Sequence, residues 1–169
     1  MNILRSAQFD DIYFSPEDGL AETKLLFLNG NGLPQAWDGK DRFTIIESGF
    51  GTGLNFFAAW RLFDDTAPAG AQLDFISFEK YPLAPEEIRI ALAPWREQIG
   101  RYVDALLVQY PLRVNGFHRI YISDNVRLTL VFDDINDALP QLSVPGGVNA
   151  WFLDGFAPSK NPDMWGDAL

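Results

Sequence analysis

The order of apolar and polar positions predicts strands that alternate with helices along most of the chain. Phe43–Glu47 and Leu73–Phe78 are short apolar runs typical of buried strands, and between them the apolar residues of Leu54–Phe63 recur at helical spacing. His118–Ile122 and Val126–Phe132 alternate with period two on either side of a Ser-Asp-Asn turn, which predicts a hairpin. This alternation is typical of an α/β fold with a mostly parallel sheet covered on both faces, and the Rossmann-like version fits best.

Three further helices and one further strand complete this pattern. Pro85 is well placed at the first position of a helix, because it lacks the N–H group that the first turn leaves unpaired. The predicted segments are helices over Pro85–Ala93, Arg96–Gln109 and Ile135–Leu142 and a strand over Val148–Leu153. Four tryptophans are expected to pack in the core: Trp37, Trp60, Trp95 and Trp151.

The first 40 residues have a different pattern. Two short strand-like runs, Ile12–Phe14 and Lys24–Leu28, are bounded by stretches rich in Ser, Pro, Asn and Gly. We expect a single domain over residues 1–169, with a small antiparallel β extension over 1–40 and a Rossmann-like core over 41–169. Only four strands of the doubly wound type can be counted, so the sheet lacks its last strands, and we expect the chain to be a fragment of a longer polypeptide.

Composition and charge narrow the classes of function. The 169 residues contain no Cys and a single His, His118, which excludes a disulfide scaffold, a thiolate zinc site and a multi-histidine site, so no metal is expected. The net charge of −10 argues against general nucleic-acid coating, although an enzyme can still meet RNA through a local patch. We find no targeting segment and no apolar run near the ~18 residues of a spanning helix, and so expect a cytoplasmic protein without membrane contact.

The strongest local signal is a glycine loop, Glu47-Ser-Gly-Phe-Gly-Thr-Gly53, between a predicted strand and a predicted helix. Glycines allow the backbone to turn tightly and to approach a ligand, and the free N–H groups of the helix lie behind them. The spacing G-x-G-x-G differs from the dinucleotide pattern G-x-G-x-x-G. Glu47 suits a ligand that carries positive charge, such as S-adenosylmethionine. A plain strand-to-helix turn is the alternative.

Acidic residues also follow the later strands. Glu79, with Lys80, ends a strand at a position where a carboxylate can accept both hydroxyls of a ribose, although a solvated Glu explains it as well. At Asp133 and Asp134 one carboxylate can accept the adenine amino group while the other caps the next helix, and capping alone is the alternative. Asp154 follows the last apolar strand. All these residues fall at carboxyl ends of strands, which meet at one edge of a parallel sheet.

Asp154 opens a final segment that combines Gly, aromatic residues and Pro, as far as Trp165. Asp154 can orient or deprotonate an attacking amine, and Phe156 can hold a planar base. A rigid loop that buries Phe156 and Trp165 explains the same composition. Three further polar residues of this segment are candidates for substrate or RNA contact: Lys160, Asn161 and Asp163.

With these motifs the chain resembles a known family, the methyltransferase domain of the MnmC-type bifunctional enzymes that modify the wobble uridine of tRNA. The resemblance covers nearly the whole chain, and its most specific part is the final stretch. It rests on Arg5–Ser15, Asp18–Glu22, Phe27–Pro34, Ser48–Phe56, Phe75–Lys80 and Trp151–Trp165. One position departs from the family pattern, which reads Phe-Gly-Asp where this chain has Phe132-Asp-Asp134.

The resemblance implies a Rossmann-like class I methyltransferase that uses S-adenosyl-L-methionine to convert the aminomethyl group on wobble uridine 34 of tRNA to methylaminomethyl. It implies that Asp134 faces adenine, Glu79 holds the ribose and Asp154 lies beside the substrate amine. The cofactor-binding residues under this interpretation are Glu47, Gly49, Gly51, Gly53, Asn55, Glu79, Lys80, Asp133 and Asp134. Members often continue into a FAD-dependent oxidase domain, so FAD belongs to that domain, whether fused or a separate partner, and not to this segment.

Two alternatives from other classes stay open. A nicotinamide-dependent oxidoreductase shares the fold but uses a different glycine spacing. A catalytically silent scaffold that contacts RNA or protein keeps the fold without the chemistry. Under the methyltransferase hypothesis Asp154 is the expected base, because the chain lacks Cys and His118 lies remote from the glycine loop in sequence, while Phe156 stacks on the uracil ring.

Overall fold

The computed structural model of the protein describes residues 5–6, 11–12 and 19–154. The strands are β1 (Arg5–Ser6), β2 (Asp11–Ile12), β3 (Arg42–Ser48), β4 (Gln72–Phe78), β5 (Gly116–Tyr121), β6 (Val126–Phe132) and β7 (Ala150–Leu153). The helices are α1 (Gly19–Thr23), α2 (Leu54–Thr66), α3 (Pro85–Ala91), α4 (Arg96–Leu107) and α5 (Ile135–Ala138). In this part of the chain, none of the helices has the length and apolar character that a membrane crossing requires.

Five of the strands form one mixed sheet, which confirms the predicted α/β class. Their order is β5–β6–β4–β3–β7, and β6, β4, β3 and β7 are parallel to one another. The predicted hairpin is also present, because β5 pairs antiparallel with β6. β3, α2 and β4 form a strand–helix–strand unit, in which the glycine loop makes the connection from strand to helix. The sheet therefore has the Rossmann-like arrangement that places ligands at the carboxyl ends of its strands.

The N-terminal segment corrects one sequence prediction. β1 and β2 do form a small antiparallel pair, but Lys24–Leu28, expected as a strand, is a π-helical turn that continues α1. Leu20 and Leu28 are buried, whereas Leu25 and Leu26 are more than half exposed. This distribution fits a helical segment that lies on the core with one side. The segment therefore adds a helical layer beside α2 instead of further strands.

The larger hydrophobic core lies between the sheet and the helices α2 and α4, and its centre is aromatic. Phe56 of α2 packs edge-on against Phe75 of β4, with ring centroids 5.1 Å apart, and Phe75 lies 5.8 Å from Phe152 of β7. Trp60 of α2 meets Tyr102 of α4 at 4.7 Å. Such pairs favour one relative orientation of their rings. They hold α2, and with it the glycine loop, in a fixed position over the strands.

A smaller core covers only the carboxyl-terminal half of the opposite sheet face. Ile46, Ile76 and Val131 pack there beneath α5 and the turn that follows it. Closer to the amino ends of the strands the same face becomes polar, with Asp74 buried among arginine side chains. Among the described residues each face of the sheet therefore has a different cover: long helices lie on one side, and the short helix α5 with its following turn lies on the other.

β7 forms one border of the described sheet, and polar side chains fix its register on β3 at both ends. At the amino end, the backbone N–H of Asn149 donates to the Thr44 carbonyl (2.9 Å), and the Thr44 N–H donates to Oδ1 of Asn149 (2.8 Å). At the carboxyl end, the Ser48 hydroxyl donates to the Asp154 carbonyl (2.9 Å). The position of Asp154 thus depends on contacts along the whole length of a four-residue strand.

Three of the four tryptophans pack in the core as expected. Trp37, Trp60 and Trp95 are buried, but Trp151 is 39% exposed, so its expected core position is wrong. Side chains of β7 alternate between buried and exposed, and Trp151 shares the exposed side with Leu153. The alternation is what an edge strand covered on one face produces.

Candidate active site

The carboxyl ends of four parallel strands bring together the acidic residues singled out in the sequence. Glu47 lies one residue before the end of β3, and Glu79, Asp133 and Asp154 directly follow β4, β6 and β7. Parallel strands end at the same edge of a sheet, so the structure places these four side chains along one border, as the sequence predicts.

The glycine loop requires glycine for conformational reasons. Gly49, Gly51 and Gly53 have φ angles of 88°, 52° and 80°, in the region that side chains disfavour. At Gly53 an added Cβ would lie 2.6 Å from the ring of Phe50. The N–H groups of Gly49 and Phe50 both donate to the carbonyl of Phe78, at 2.9 and 3.0 Å. The loop is therefore fastened to the end of β4, directly beside Glu79.

Asn55, in the first turn of α2, joins two of the acidic residues. Its amide nitrogen donates to Oε1 of Glu47 at 3.0 Å and to Oδ2 of Asp154 at 2.6 Å. Its amide oxygen accepts from the hydroxyl of Thr23 at 2.8 Å. Because carboxylates accept hydrogen bonds, they favour the donor end of the amide, and the Thr23 hydroxyl donates to the acceptor end that remains. The network sets the Asp154 carboxylate relative to the glycine loop.

Glu47 is an ionisable residue of the interior, with 1% of its surface exposed. Its Oε2 accepts from the hydroxyl of Ser77, 2.6 Å away on the neighbouring strand. Burial raises the pKa of Glu47 well above its usual range, the Ser77 bond opposes this rise, and the nearby carboxylates of Asp154 and Glu79 add to it. The site therefore concentrates acidic groups in a poorly hydrated place.

Glu79 connects the two loops at this edge. Its Oε2 accepts from the N–H of Gly51 and its Oε1 from the N–H of Tyr81, both at 2.8 Å. Burial raises the pKa of Glu79, and these backbone donors oppose that rise. A carboxylate has about four lone-pair sites, so two bonds to the backbone leave capacity for further donors.

The structure decides which carboxylate after β6 caps the helix. Asp134 is the N-cap of α5, where its Oδ1 accepts from the N–H of Asn136 at 2.9 Å, and its Oδ2 lies 2.7 Å from Nζ of Lys80. The Lys80 bond lowers the pKa of Asp134 and raises that of Lys80. Asp133 accepts from the Asp134 N–H at 2.8 Å. The cap and the ion pair thus fall on the same residue that the family resemblance directs to adenine.

Three polar groups at this edge were not singled out from the sequence: Thr23, Ser77 and Tyr110. A polar residue opposite Glu47 in a buried strand was the available signal for Ser77. Thr23 gave no signal, because its partner Asn55 is 32 positions away. The hydroxyl of Tyr110 is buried without a hydrogen-bond partner among the described residues. Burial raises its pKa, and the charge of Glu79 raises it further.

Four predicted site residues lie outside the described part of the chain: Phe156, Lys160, Asn161 and Asp163. Of the predicted set, the structure therefore describes the cofactor-binding candidates and Asp154. Within the described ranges, no group of three or more His, Asp or Glu side chains is arranged to hold a metal ion.

Comparison with known families and proteins adds a second kind of observation. Residues 97–169 match the model of a family described as S-adenosyl-L-methionine-dependent methyltransferase. A protein of Methylobacillus flagellatus named tRNA 5-methylaminomethyl-2-thiouridine biosynthesis bifunctional protein MnmC is 49% identical over 167 residues, which are 97% of this chain and 25% of that protein. The protein of the same name in Pseudomonas fluorescens is 52% identical over 166 residues, or 95% of this chain. The chain thus spans about a quarter of the length of the relatives it matches.

Solved structures support the fold. The crystal structure titled MNMC2 from Aquifex aeolicus superposes with a TM-score of 0.74 over 96% of this chain and 48% of that one. The sequence identity is 23%, so this likeness concerns the arrangement of strands and helices.

Proposed function

We propose, from the premise that this chain belongs to the S-adenosyl-L-methionine-dependent methyltransferase family, that it methylates an amine on the wobble uridine of tRNA. The relatives that are about half identical are named for the biosynthesis of 5-methylaminomethyl-2-thiouridine in tRNA, and they extend over about four times the length matched here. A tRNA substrate, a cytoplasmic location and an FAD-dependent oxidase partner, fused or separate, form part of the proposal.

The observation that carries the proposal is the accumulation of carboxylates at one edge. Glu47, Glu79 and Asp154 lie within electrostatic reach of one another, and their mutual repulsion contributes to the raised pKa of Glu47. Such a site favours a ligand that brings positive charge. S-adenosyl-L-methionine brings a sulfonium and an ammonium group, whereas a dinucleotide brings a pyrophosphate. The charge at this edge therefore favours the methyl donor over a nicotinamide cofactor.

The residues present fit the parts of that cofactor. The glycine loop gives the backbone close approach, and Glu79 retains acceptor capacity for the two hydroxyls of a ribose. Asp134, which accepts a hydrogen bond from Lys80, follows β6, where the family resemblance implies that the adenine ring binds. Asp133 and Lys80 flank it. When bound, the cofactor supplies an activated methyl group.

Asp154 is the group proposed to act on the substrate amine. A primary alkyl amine resembles the Lys side chain, with a reference pKa of ~10.4, and is protonated at neutral pH, so it has no lone pair for attack until a base takes the proton. Asn55 holds the Asp154 carboxylate at 2.6 Å, and Ser48 holds its backbone carbonyl. Both contacts keep the carboxylate at the edge where the glycine loop begins. Phe156, two residues farther on, is proposed to stack on the uracil ring.

Two measurements test the proposal. Calorimetric titration with S-adenosylhomocysteine and with NAD separates the two kinds of cofactor, and we expect saturable binding of the first alone. Transfer of a radiolabelled methyl group to tRNA that carries 5-aminomethyl-2-thiouridine tests the substrate. Binding of NAD without binding of S-adenosylhomocysteine would overturn the methyltransferase assignment. Methylation of tRNA that lacks the aminomethyl group would show that the proposed substrate is wrong.

A further inference from the structure

The outer face of β5 carries an exposed pattern of aromatic, basic and aromatic side chains. Phe117, Arg119 and Tyr121 alternate along the strand and therefore point to the same side. Phe117 pairs with Val131, which belongs to the smaller core, so this side is the sheet face with the short helical cover. Phe117 is 46% exposed and Tyr121 is 68% exposed. Large aromatic groups seldom stay this accessible in a row without a partner.

Arginine side chains extend this surface across the sheet. Arg119 lies 2.9 Å from Oδ1 of Asp74, Arg42 lies 3.3 Å from Oδ2 of Asp74, and Arg127 lies 3.7 Å from Oδ1. Gln72 accepts from both Arg42 and Arg127. Three guanidinium groups share one carboxylate, which leaves an excess of two positive charges in a chain with a net charge of −10. The Arg42 and Arg119 side chains are about half exposed.

We propose that this face, defined by Phe117, Arg119, Tyr121, Arg127 and Arg42, is a binding surface for the tRNA substrate. The inference rests on the proposed function for the identity of the RNA. Exposed aromatic rings on a sheet stack on unpaired bases, while guanidinium groups between them pair with phosphates. Arg119 also lies over the Tyr121 ring, 5.9 Å from its centroid, an arrangement that keeps the ring and the charge side by side.

The polarity of this face favours a nucleic acid over an apolar protein segment. An apolar helix laid on it would remove three guanidinium groups from water, where only one carboxylate is present to compensate them. A polyanion instead meets both the excess charge and the aromatic rings. The protein as a whole is acidic, so this cluster is a place where a phosphate backbone is attracted and not repelled.

The surface also lies on a path from the candidate active site. Gly116 pairs with Phe132, and Asp133 follows, so the Phe117 end of β5 lies at the carboxyl edge of the sheet, on the border opposite β7 and Asp154. From Phe117 to Tyr121 the strand extends about 13 Å, at ~3.3 Å per residue. An RNA strand whose reactive nucleotide lies at Asp154 would cross about 19 Å, four strand spacings of ~4.8 Å, before it reaches Phe117 and continues along β5 toward Tyr121.

Binding of an unmodified anticodon stem-loop RNA, measured by fluorescence anisotropy over a series of salt concentrations, tests this surface. We expect Tyr121→Ala to weaken binding by about 5- to 150-fold with an unchanged salt slope, because stacking involves no counterion. Tyr121→Phe keeps the ring and should bind like the parent. Arg119→Gln should weaken binding and make the log–log salt slope shallower by about 0.7. Arg61→Gln, on α2 at the opposite sheet face, is the matched control and should leave affinity unchanged.

The results separate this inference from the proposed function. If Tyr121→Ala and Arg119→Gln both bind the RNA as tightly as the parent, the β5 face is not the RNA-binding surface. The same conclusion follows if the parent chain does not bind the RNA. Retained binding of S-adenosylhomocysteine in that case leaves the methyltransferase assignment standing. If Tyr121→Ala instead converts a dimer to a monomer in sedimentation and leaves RNA affinity unchanged, the face joins two copies of the chain and the RNA assignment is wrong. Thermal melting of each variant shows that it is folded.

Discussion

The hydroxyl of Thr23 donates a 2.8 Å hydrogen bond to the amide oxygen of Asn55, 32 residues farther along the chain. This bond leaves the amide nitrogen of Asn55 to bridge the carboxylates of Glu47 and Asp154. The two carboxylates already favour the nitrogen end of the amide, because an ionised carboxylate only accepts hydrogen bonds, and the bond from Thr23 to the amide oxygen adds to that preference. A residue of the N-terminal helix therefore helps to hold a group at the candidate active site.

Thr23→Val should lower turnover about 3- to 10-fold while binding of S-adenosylhomocysteine changes little. Valine keeps the shape of threonine but removes the donor, and a lost hydrogen bond of this kind is worth on the order of 1 kcal/mol. Thr23→Ser keeps the hydroxyl and should behave like the parent. Steady-state kinetics and calorimetry of the three proteins make the comparison. A matching loss in Thr23→Ser would assign the effect to the methyl group and not to the hydrogen bond.

Asp154→Asn should lower turnover by about 10²- to 10⁴-fold, the range typical of a lost general base. Asparagine preserves the size of the side chain, so cofactor affinity should stay near that of the parent. Single-turnover methyl transfer to tRNA measures the effect. Asp163→Asn is the matched control, and if that variant is inactive while Asp154→Asn is active, the base is Asp163. If both variants are active, the chain acts on the amine by positioning alone.

Glu47→Gln should become more stable relative to the parent as the pH rises from about 4 toward neutrality. Burial raises the pKa of Glu47 in the folded state above the unfolded value near 4.5. The stability that depends on its proton is fully present below the unfolded pKa and is lost as the pH rises toward the folded pKa. Glutamine has no such proton. Urea unfolding of both proteins at several pH values checks this, and a constant difference would show that folding does not shift the pKa of Glu47.

Gly53→Ala should destabilise the protein by clearly more than Gly70→Ala. Both glycines have positive φ angles, 80° and 83°, so both substitutions carry a backbone cost of about 1–2 kcal/mol. An added Cβ at Gly53 meets the rings of Phe50 and Phe57 at 2.6 and 3.0 Å, whereas at Gly70 it meets nothing within 4 Å. The difference between the two unfolding free energies isolates the steric contact. Equal losses would mean that the Phe50 ring moves aside freely.

Asp134→Asn should reduce cofactor affinity and leave stability within about 0.5 kcal/mol. Asparagine and aspartate are equally good N-caps, so the start of α5 is preserved. The lost pair with Lys80 is exposed at the lysine and contributes little. Asp134→Ala removes the cap as well and should lower the melting temperature. Parent-like binding of S-adenosylhomocysteine by Asp134→Asn would limit the residue to its capping role.

The fold was predictable where side-chain periodicity and burial agree. β4 is a mainly apolar run and β6 alternates with period two, and the bounds of both strands were predicted to within one residue. Lys24–Leu28 is as apolar as these strands, yet it is helical, because α1 precedes it and α2 offers a surface for one side of it. The choice between helix and strand here depends on tertiary contacts, which local composition does not predict.

The candidate site was predictable at the strand ends and not in its connections. Glycine spacing and acidic strand ends are local signals, and they located Glu47, Glu79 and Asp154 in the sequence. The bond from Asn55 to Asp154 joins residues 99 positions apart, so no local pattern records it. The arginines around Asp74 come from three different strands and were likewise visible only after the strand order was known.

The two hydrogen bonds between Asn149 and Thr44 affect where the Asp154 carboxylate lies. Successive side chains of a strand point to opposite faces, so a slip of β7 by a single residue would turn every one of them over and swing the Asp154 carboxylate away from Asn55. A strand of four residues has few ladder bonds with which to reject such a slip. The side-chain amide of Asn149 adds a hydrogen bond between β7 and β3 at the amino end, and this bond forms only in the observed register. The position of the proposed base therefore depends in part on Asn149, which lies at the opposite end of β7.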